Sequence, residues 1–225
     1  TSITDYDGVN HANDVVKTYR YTMEDDPFRS SGVIMIIPKY DYYYTIYRPD
    51  GAIVTGCPYY VRQSVSPQLG TTQGGHIGYR QVSVSRSDGA RSVYAFSSFY
   101  DYPDVVSSGF PFPLPTSYDH KRGMLLSAID YKKVGSTEIP VRKVRNHYYQ
   151  DLVNHYQTQL ALKIGFSKKN PQVLTSSLFA IGSYDLISQW QYMDSTITTT
   201  FGPTGTDSLT EVTVYRYDNP VHMQQ

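Results

Sequence analysis

The side chains that could do chemistry in this sequence are six histidines, two acidic clusters, one cysteine and an excess of tyrosine. Histidine chemistry at a metal needs several rings converging, as an HxxxH or HExxH helix provides. His11, His76, His120, His147, His155 and His222 show no such spacing, and His147 and His155 stand too far apart along a segment of ambiguous periodicity. They read as surface or strand-end residues, and neither a metal nor any other cofactor is expected. A glycoside hydrolase needs two carboxylates facing each other across a cleft. Asp25-Asp26 and Asp101/Asp104 both fall in segments that read as loops, where turn capping or solvation is their expected role. Asp5, Asp7 and Gly8 open like a calcium loop, but Val16 stands where the bidentate glutamate belongs. Gly74-Gly75-His76-Ile77-Gly78 lacks the lysine and following helix of a phosphate loop, so it reads as a flexible lead-in to a strand. His120-Lys121-Arg122-Gly123 beside Asp119 reads as a solvated turn, with Arg122 available to a strand-end carboxylate. Cys57 is the single cysteine, which allows no intrachain disulfide, and no positioned histidine marks it as a nucleophile. No enzymatic activity is expected from these residues.

Tyrosine is the feature that invites a binding reading, with 23 of them in 225 residues. Tyr40, Tyr42, Tyr43, Tyr44, Tyr47, Tyr59 and Tyr60 could form an exposed stacking platform for sugars or a partner chain, because a rigid aromatic face binds at low entropic cost. The alternative is that these rings pack between strands and on neighbouring domains.

Positioning such side chains falls to strands, because the sequence alternates with a period of two almost throughout. YRQVSVSR and RSVYAFSS flank Ser87-Asp88-Gly89 as a hairpin over 79–98, and MLLSAIDYKKV and TEIPVRKVRNHYY flank Gly135-Ser136 as a second. A third joins SYDLISQWQYMDSTITTTF to SLTEVTVYRYD through a loop containing Gly202, Pro203 and Gly205. Upstream, Pro49-Asp50-Gly51 predicts a turn after the tyrosine-rich run. Four prolines between Pro103 and Pro115 keep 99–123 out of any central strand and predict an ordered, aromatic-rich excursion over the sheet. One helix candidate remains at 149–158, where Tyr149, Leu152, Val153 and Tyr156 recur at helical spacing, against the strand-like alternation of LALKIGFS that follows. A soft boundary near 64–75 divides a tyrosine-rich hairpin region, 1–73, from a β-meander, 74–225.

The formal charge is +0, which offers no field to phosphates, so nucleic acid is not an expected partner. VIMII at 33–37 is the longest apolar run and is far short of a membrane-spanning helix. The chain opens on Thr1 and stops just after a strand, which suggests a piece of something longer.

GHIGYRQVSVSRSDGARSVYAF, YDHKRGMLLSAIDYKK and the strand end Tyr215-Arg216-Tyr217-Asp218, spread over about residues 74–219, resemble the large secreted or surface proteins of Bacteroidota that are similar to RHS/YD-repeat proteins. Only one Y-x-Y-D is present, with no run of YD repeats after it. The resemblance implies a β-rich shell or scaffold segment of an exported chain, at the outer surface or secreted, and it transfers no catalytic residue. Two expectations therefore stand. The fold is all-β, an antiparallel meander of successive hairpins, sandwich- or shell-like and part of a longer chain. The function is structural and non-enzymatic, with a carbohydrate- or peptide-binding β-sandwich as the alternative. Val212, Val214, Tyr215 and Tyr217 are the residues expected to pair with the remainder of a longer chain or with another protein chain, because alternation leaves both faces of that last strand apolar or aromatic.

Overall fold

The computed structural model describes residues 1–34, 41–44, 59–62, 74–107, 111–153, 155–166 and 179–218. The fold is all-β and every strand pairing is antiparallel. In chain order the strands are β1 (Ser2–Asp5), β2 (Val15–Arg20), β3 (Gly32–Ile34), β4 (Asp41–Tyr44), β5 (Tyr59–Arg62), β6 (Ile77–Tyr79), β7 (Gln81–Arg86), β8 (Arg91–Phe96), β9 (Leu125–Val134), β10 (Thr137–Gln150), β11 (Tyr156–Phe166), β12 (Phe179–Gln189), β13 (Gln191–Phe201) and β14 (Ser208–Val214). Eight of them form one sheet in the order β1-β2-β7-β8-β9-β10-β13-β14. Sequence neighbours are sheet neighbours except at two crossovers, as short loops between alternating strands favour. The sheet draws on both sides of the 64–75 stretch, since β2 lies beside β7 with Lys17 opposite Arg86.

Two glycines set the turns on which the register depends. At β7–β8, Gly89 takes φ +87° while Asp88 Oδ1 accepts from the Ala90 amide, a conformation that side chains with a Cβ rarely adopt. Gly135, at φ +65°, does the same in the two-residue turn that sets Val134 opposite Thr137.

The helix considered for 149–158 does not form. β10 runs through Gln150 and β11 starts at Tyr156, and Asp151 and His155 between them both bond to the backbone of Trp190. The Asp151 amide donates to Trp190 O (3.1 Å) and the Trp190 amide donates to His155 O (3.0 Å). The apolar period that suggested a helix has nothing to bury itself against, because Leu152 and Val153 are 60% and 83% exposed. Cross-strand pairing of Leu160, Leu162 and Ile164 with β12 prevails instead. The long strand expected from SYDLISQW to TTTF is likewise split at Trp190, with β12 pairing to β11 and β13 to β10. The result is one ribbon with a bulge at its joint, continuing as the two-stranded β11–β12 arm.

Val93 is the one apolar residue buried on the described strands of the large sheet. Phe99 and Phe112, the other buried large hydrophobics among the described residues, belong to the 97–124 excursion. There they are joined by buried polar groups, Ser97, Ser98, Asp104, Thr116 and Arg122. No described helix is long and apolar enough to cross a membrane.

Candidate functional site

The joint where the sheet becomes the arm carries different chemistry on its two faces. Directly opposed residues share a face of a sheet, so the pairs Tyr149↔Tyr192 and Gln150↔Gln191 point to opposite sides. Tyr149 and Tyr192 have ring centroids 5.4 Å apart, Tyr192 lies 4.3 Å from Trp190, and Tyr217 closes the group at 4.5 Å from Tyr192 and edge-on to Trp190 at 5.5 Å. Tyr217 is held by its hydroxyl, which donates to Met193 O (3.0 Å). Desolvation of Tyr192 raises its pKa above the usual tyrosine value. Asp151 organises the bulge below: its carboxylate accepts from the Val153 amide (3.0 Å) and from His155 Nδ1 (2.7 Å), and the His155 ring meets Trp190 edge-on at 5.3 Å.

The other face is a polar cleft of about 240 Å³ between the excursion and the floor formed by β9, β10 and β13. Ser97, Tyr102, Lys121 and Met124 line one side; Leu126, Asn146, Tyr148, Gln150 and Gln191 line the other. Lys121 Nζ donates to Gln150 Oε1 (3.1 Å) and lies 5.7 Å and 5.4 Å from the Tyr102 and Tyr118 ring centroids. Gln150 in turn donates to the Tyr102 hydroxyl (3.2 Å). Burial holds the Lys121 pKa below the usual lysine value and raises that of Tyr148. Beside the cleft, burial lowers the His120 pKa despite the Gln189 side chain at 3.3 Å. At the mouth, His147 Nδ1 donates to Asp194 Oδ1 (2.7 Å). Burial alone would raise the Asp194 pKa, but bonds from His147 and Ser195 outweigh it and the net shift is downward.

The wall of the cleft is fixed by a group that the sequence reading placed in solvent. Arg122 is not on a solvated turn, and Asp104 is not a solvated or capping carboxylate: both side chains are 0% exposed and their closest N–O distance is 2.6 Å. Arg122 also donates to Tyr102 O (2.9 Å) and Ser117 Oγ (3.2 Å), with its guanidinium carbon 4.1 Å from the centre of the Phe99 ring. Asp104 Oδ1 accepts from the Tyr118 amide as well (3.0 Å). Prolines limit ladder pairing in the excursion, where Val105 bridges Thr116, and the network adds bonds to the Tyr102 carbonyl and the Tyr118 amide. Asp101, by contrast, is a turn cap, accepting from the Ser98 amide (2.9 Å).

The remaining sequence candidates scatter. Asp7 Oδ2 accepts from the Asn10 amide and Asn13 Nδ2, both at 3.2 Å, while Asp5 pairs with Lys17 at 2.7 Å, so the two carboxylates serve different partners. Among the described residues no three His, Cys, Asp or Glu side chains are grouped to hold a metal ion. Of the tyrosine platform, Tyr42, Tyr44, Tyr59 and Tyr60 lie on the paired strands β4 and β5, with Tyr44 opposite Tyr59. The side-chain exposure that defines the platform, together with Tyr40, Tyr47 and Cys57, lies outside the described residues. β14 ends the sheet order, with Val212 and Val214 60% and 65% exposed. Tyr215 and Tyr217 follow its end and are half-buried. The sequence reading missed Trp190 and Gln191. The available signal was the sole tryptophan set between two glutamines inside an otherwise regular strand pattern.

Compared with protein-family models, with curated proteins and with solved structures, the chain finds no match.

Proposed function

We propose that this chain is a structural, non-catalytic β-scaffold segment of a larger secreted or surface protein of the RHS-like kind, completed by the rest of that chain or by another protein. The observation that carries the reading is the distribution of apolar surface. Alternation puts Leu160, Leu162 and Ile164 on one face of β11, with Ile181 opposite Ile164, and these four are 64%, 56%, 64% and 66% exposed. At Lys163 and Gly182 the other face of the arm is covered by the excursion. A Cβ on Gly182 would stand 2.8 Å from Pro113 Cδ, and Lys163 Nζ donates to Phe112 O (2.9 Å). At the sheet's end, Ile197 pairs with Val212 and Ser195 with Val214, leaving a second apolar stripe beside an edge of β14 that pairs with no other described strand. Contiguous apolar surface and an open strand edge together mark surfaces that another protein covers. The likeness of the hairpins in 74–219 to RHS-like sequences supports the same reading.

Light scattering on the isolated chain tests it. The chain should self-associate and bind a hydrophobic dye, and Val212→Lys with Val214→Lys should reduce association without lowering the melting temperature, since both side chains are already exposed. A dye-silent monomer unaffected by the substitutions would count decisively against the scaffold reading.

A further inference from the structure

The cleft beneath the 97–124 excursion holds polar groups that the fold itself leaves unused. Lys121 is half-buried, and burial with no contribution from a neighbouring carboxylate is what holds its pKa down. Its ammonium spends one proton on the neutral Gln150 amide, which leaves two N–H donors on a partly desolvated cation. Beyond the Tyr102 and Tyr118 ring faces, a cation with no carboxylate partner in such a place favours an anion in the cleft. Gln191 supplies the second observation. Its Nε2 faces only Met124 Sδ at 2.9 Å, and its Oε1 is buried without a hydrogen-bond partner. A thioether is a weak acceptor, so whichever way the amide is turned it lacks a strong partner among the described residues. Tyr102 is the third group: its hydroxyl accepts from Gln150 and retains its own proton to donate.

A ligand that satisfies these groups needs a carboxylate for Lys121, a hydroxyl that exchanges hydrogen bonds with the Gln191 amide, and an acceptor for Tyr102. It must also fit about 240 Å³, which is below the range for drug-sized molecules and suits a single ring. We propose that this cleft binds a sugar acid, a hexuronate, with Lys121 on its carboxylate and Gln191 and Tyr102 on its ring hydroxyls. The aromatic group of Trp190, Tyr192 and Tyr217 lies on the opposite face and takes no part.

This goes beyond the scaffold reading, and the two fail separately: a chain that self-associates through β14 still presents the cleft. Calorimetric titration of the protein with galacturonate and glucuronate is expected to give one site per chain. Glucose, which lacks the carboxylate, and acetate, which lacks the hydroxyls, should each bind at least about tenfold more weakly. Lys121→Met should weaken uronate binding by about tenfold or more, and Gln191→Met should weaken it independently. Lys17→Met, which alters an ion pair on β2, should leave it unchanged. A trigalacturonate that binds more tightly than the monomer identifies a polysaccharide end as the source, and equal binding identifies the free acid. Equal affinity for uronate and glucose, no uronate binding at millimolar concentration, or an unchanged affinity in both Lys121→Met and Gln191→Met would overturn the assignment.

Discussion

Replacing Arg122 by methionine tests most directly how the excursion is held. The substitution keeps an unbranched apolar stem and removes the guanidinium, with its stacking on the Phe99 ring. What it strands is Asp104, whose side chain is 0% exposed and which keeps the Tyr118 amide as a donor at 3.0 Å. At charge centres roughly 4 Å apart and an effective dielectric of about 20, the lost attraction is about 4 kcal/mol. The Tyr102 carbonyl and Ser117 hydroxyl lose a charged donor as well. The guanidinium no longer has to be desolvated in the variant, which offsets part of this, and breaking one side of a buried pair costs about 3–5 kcal/mol overall. Arg122→Met is therefore expected to lose about 4 kcal/mol in urea unfolding followed by the fluorescence of Trp190, the only tryptophan. Proteolysis under native conditions should move to the excursion, because its wall is released first. Asp104 Oδ2 already lacks a hydrogen-bond partner, so the pair is imperfectly satisfied. The double variant with Asp104→Leu should consequently lose less than the two single losses added together, by about 2 kcal/mol or more. Strict additivity, or an Arg122→Met loss below about 1 kcal/mol with the same cleavage pattern, would show that the excursion is held by something else.

Three other outcomes are expected. Gly205→Ala meets both a φ of +79° and a Cβ placed 2.8 Å from Ile139 Cγ2, whereas Gly8→Ala at φ +80° meets nothing within 4 Å; thermal melts should show about 1–2 kcal/mol lost at Gly8 and clearly more at Gly205. His120 has its pKa lowered by burial, so below its ordinary value of 6.5 the unfolded chain binds a proton that the folded chain resists, and stability falls as pH drops through and below 6.5; His120→Gln should flatten that part of a melting-temperature profile, and an identical profile would refute it. Tyr217→Phe removes only the bond to Met193 O and should cost about 1 kcal/mol, while Tyr217→Ala also removes the ring packed on Trp190 and Tyr192 and should shift the tryptophan emission to the red.

Period-two alternation and turn chemistry were enough to read the class of the fold and three hairpin junctions from sequence. Asp88-Gly89 and Gly135-Ser136 demand positive φ at defined places, and that constraint is local. Alternation sets which residues share a face but not the register: Ile197 faces Val212, while Val214 faces Ser195 and Phe201 faces Ser208. Three larger features were not legible in the sequence either. The division of one apparent strand at Trp190 depends on Asp151 and His155, from the connection between β10 and β11, both bonding to its backbone, and no window around Trp190 contains them. The burial of Arg122 and Asp104 depends on prolines that fold the excursion back onto the sheet, so two residues that look solvent-bound in a polar turn become the most enclosed charges among the described residues. The cleft is the third, since Lys121, Tyr102, Gln150 and Gln191 come from three separated segments. Sequence determines what a residue's near neighbours allow, because strand period and turn geometry act over a few bonds. Which charges are stripped of water, and which polar groups converge, is decided only when distant segments close over one another, because desolvation is a property of the enclosure and not of the residue.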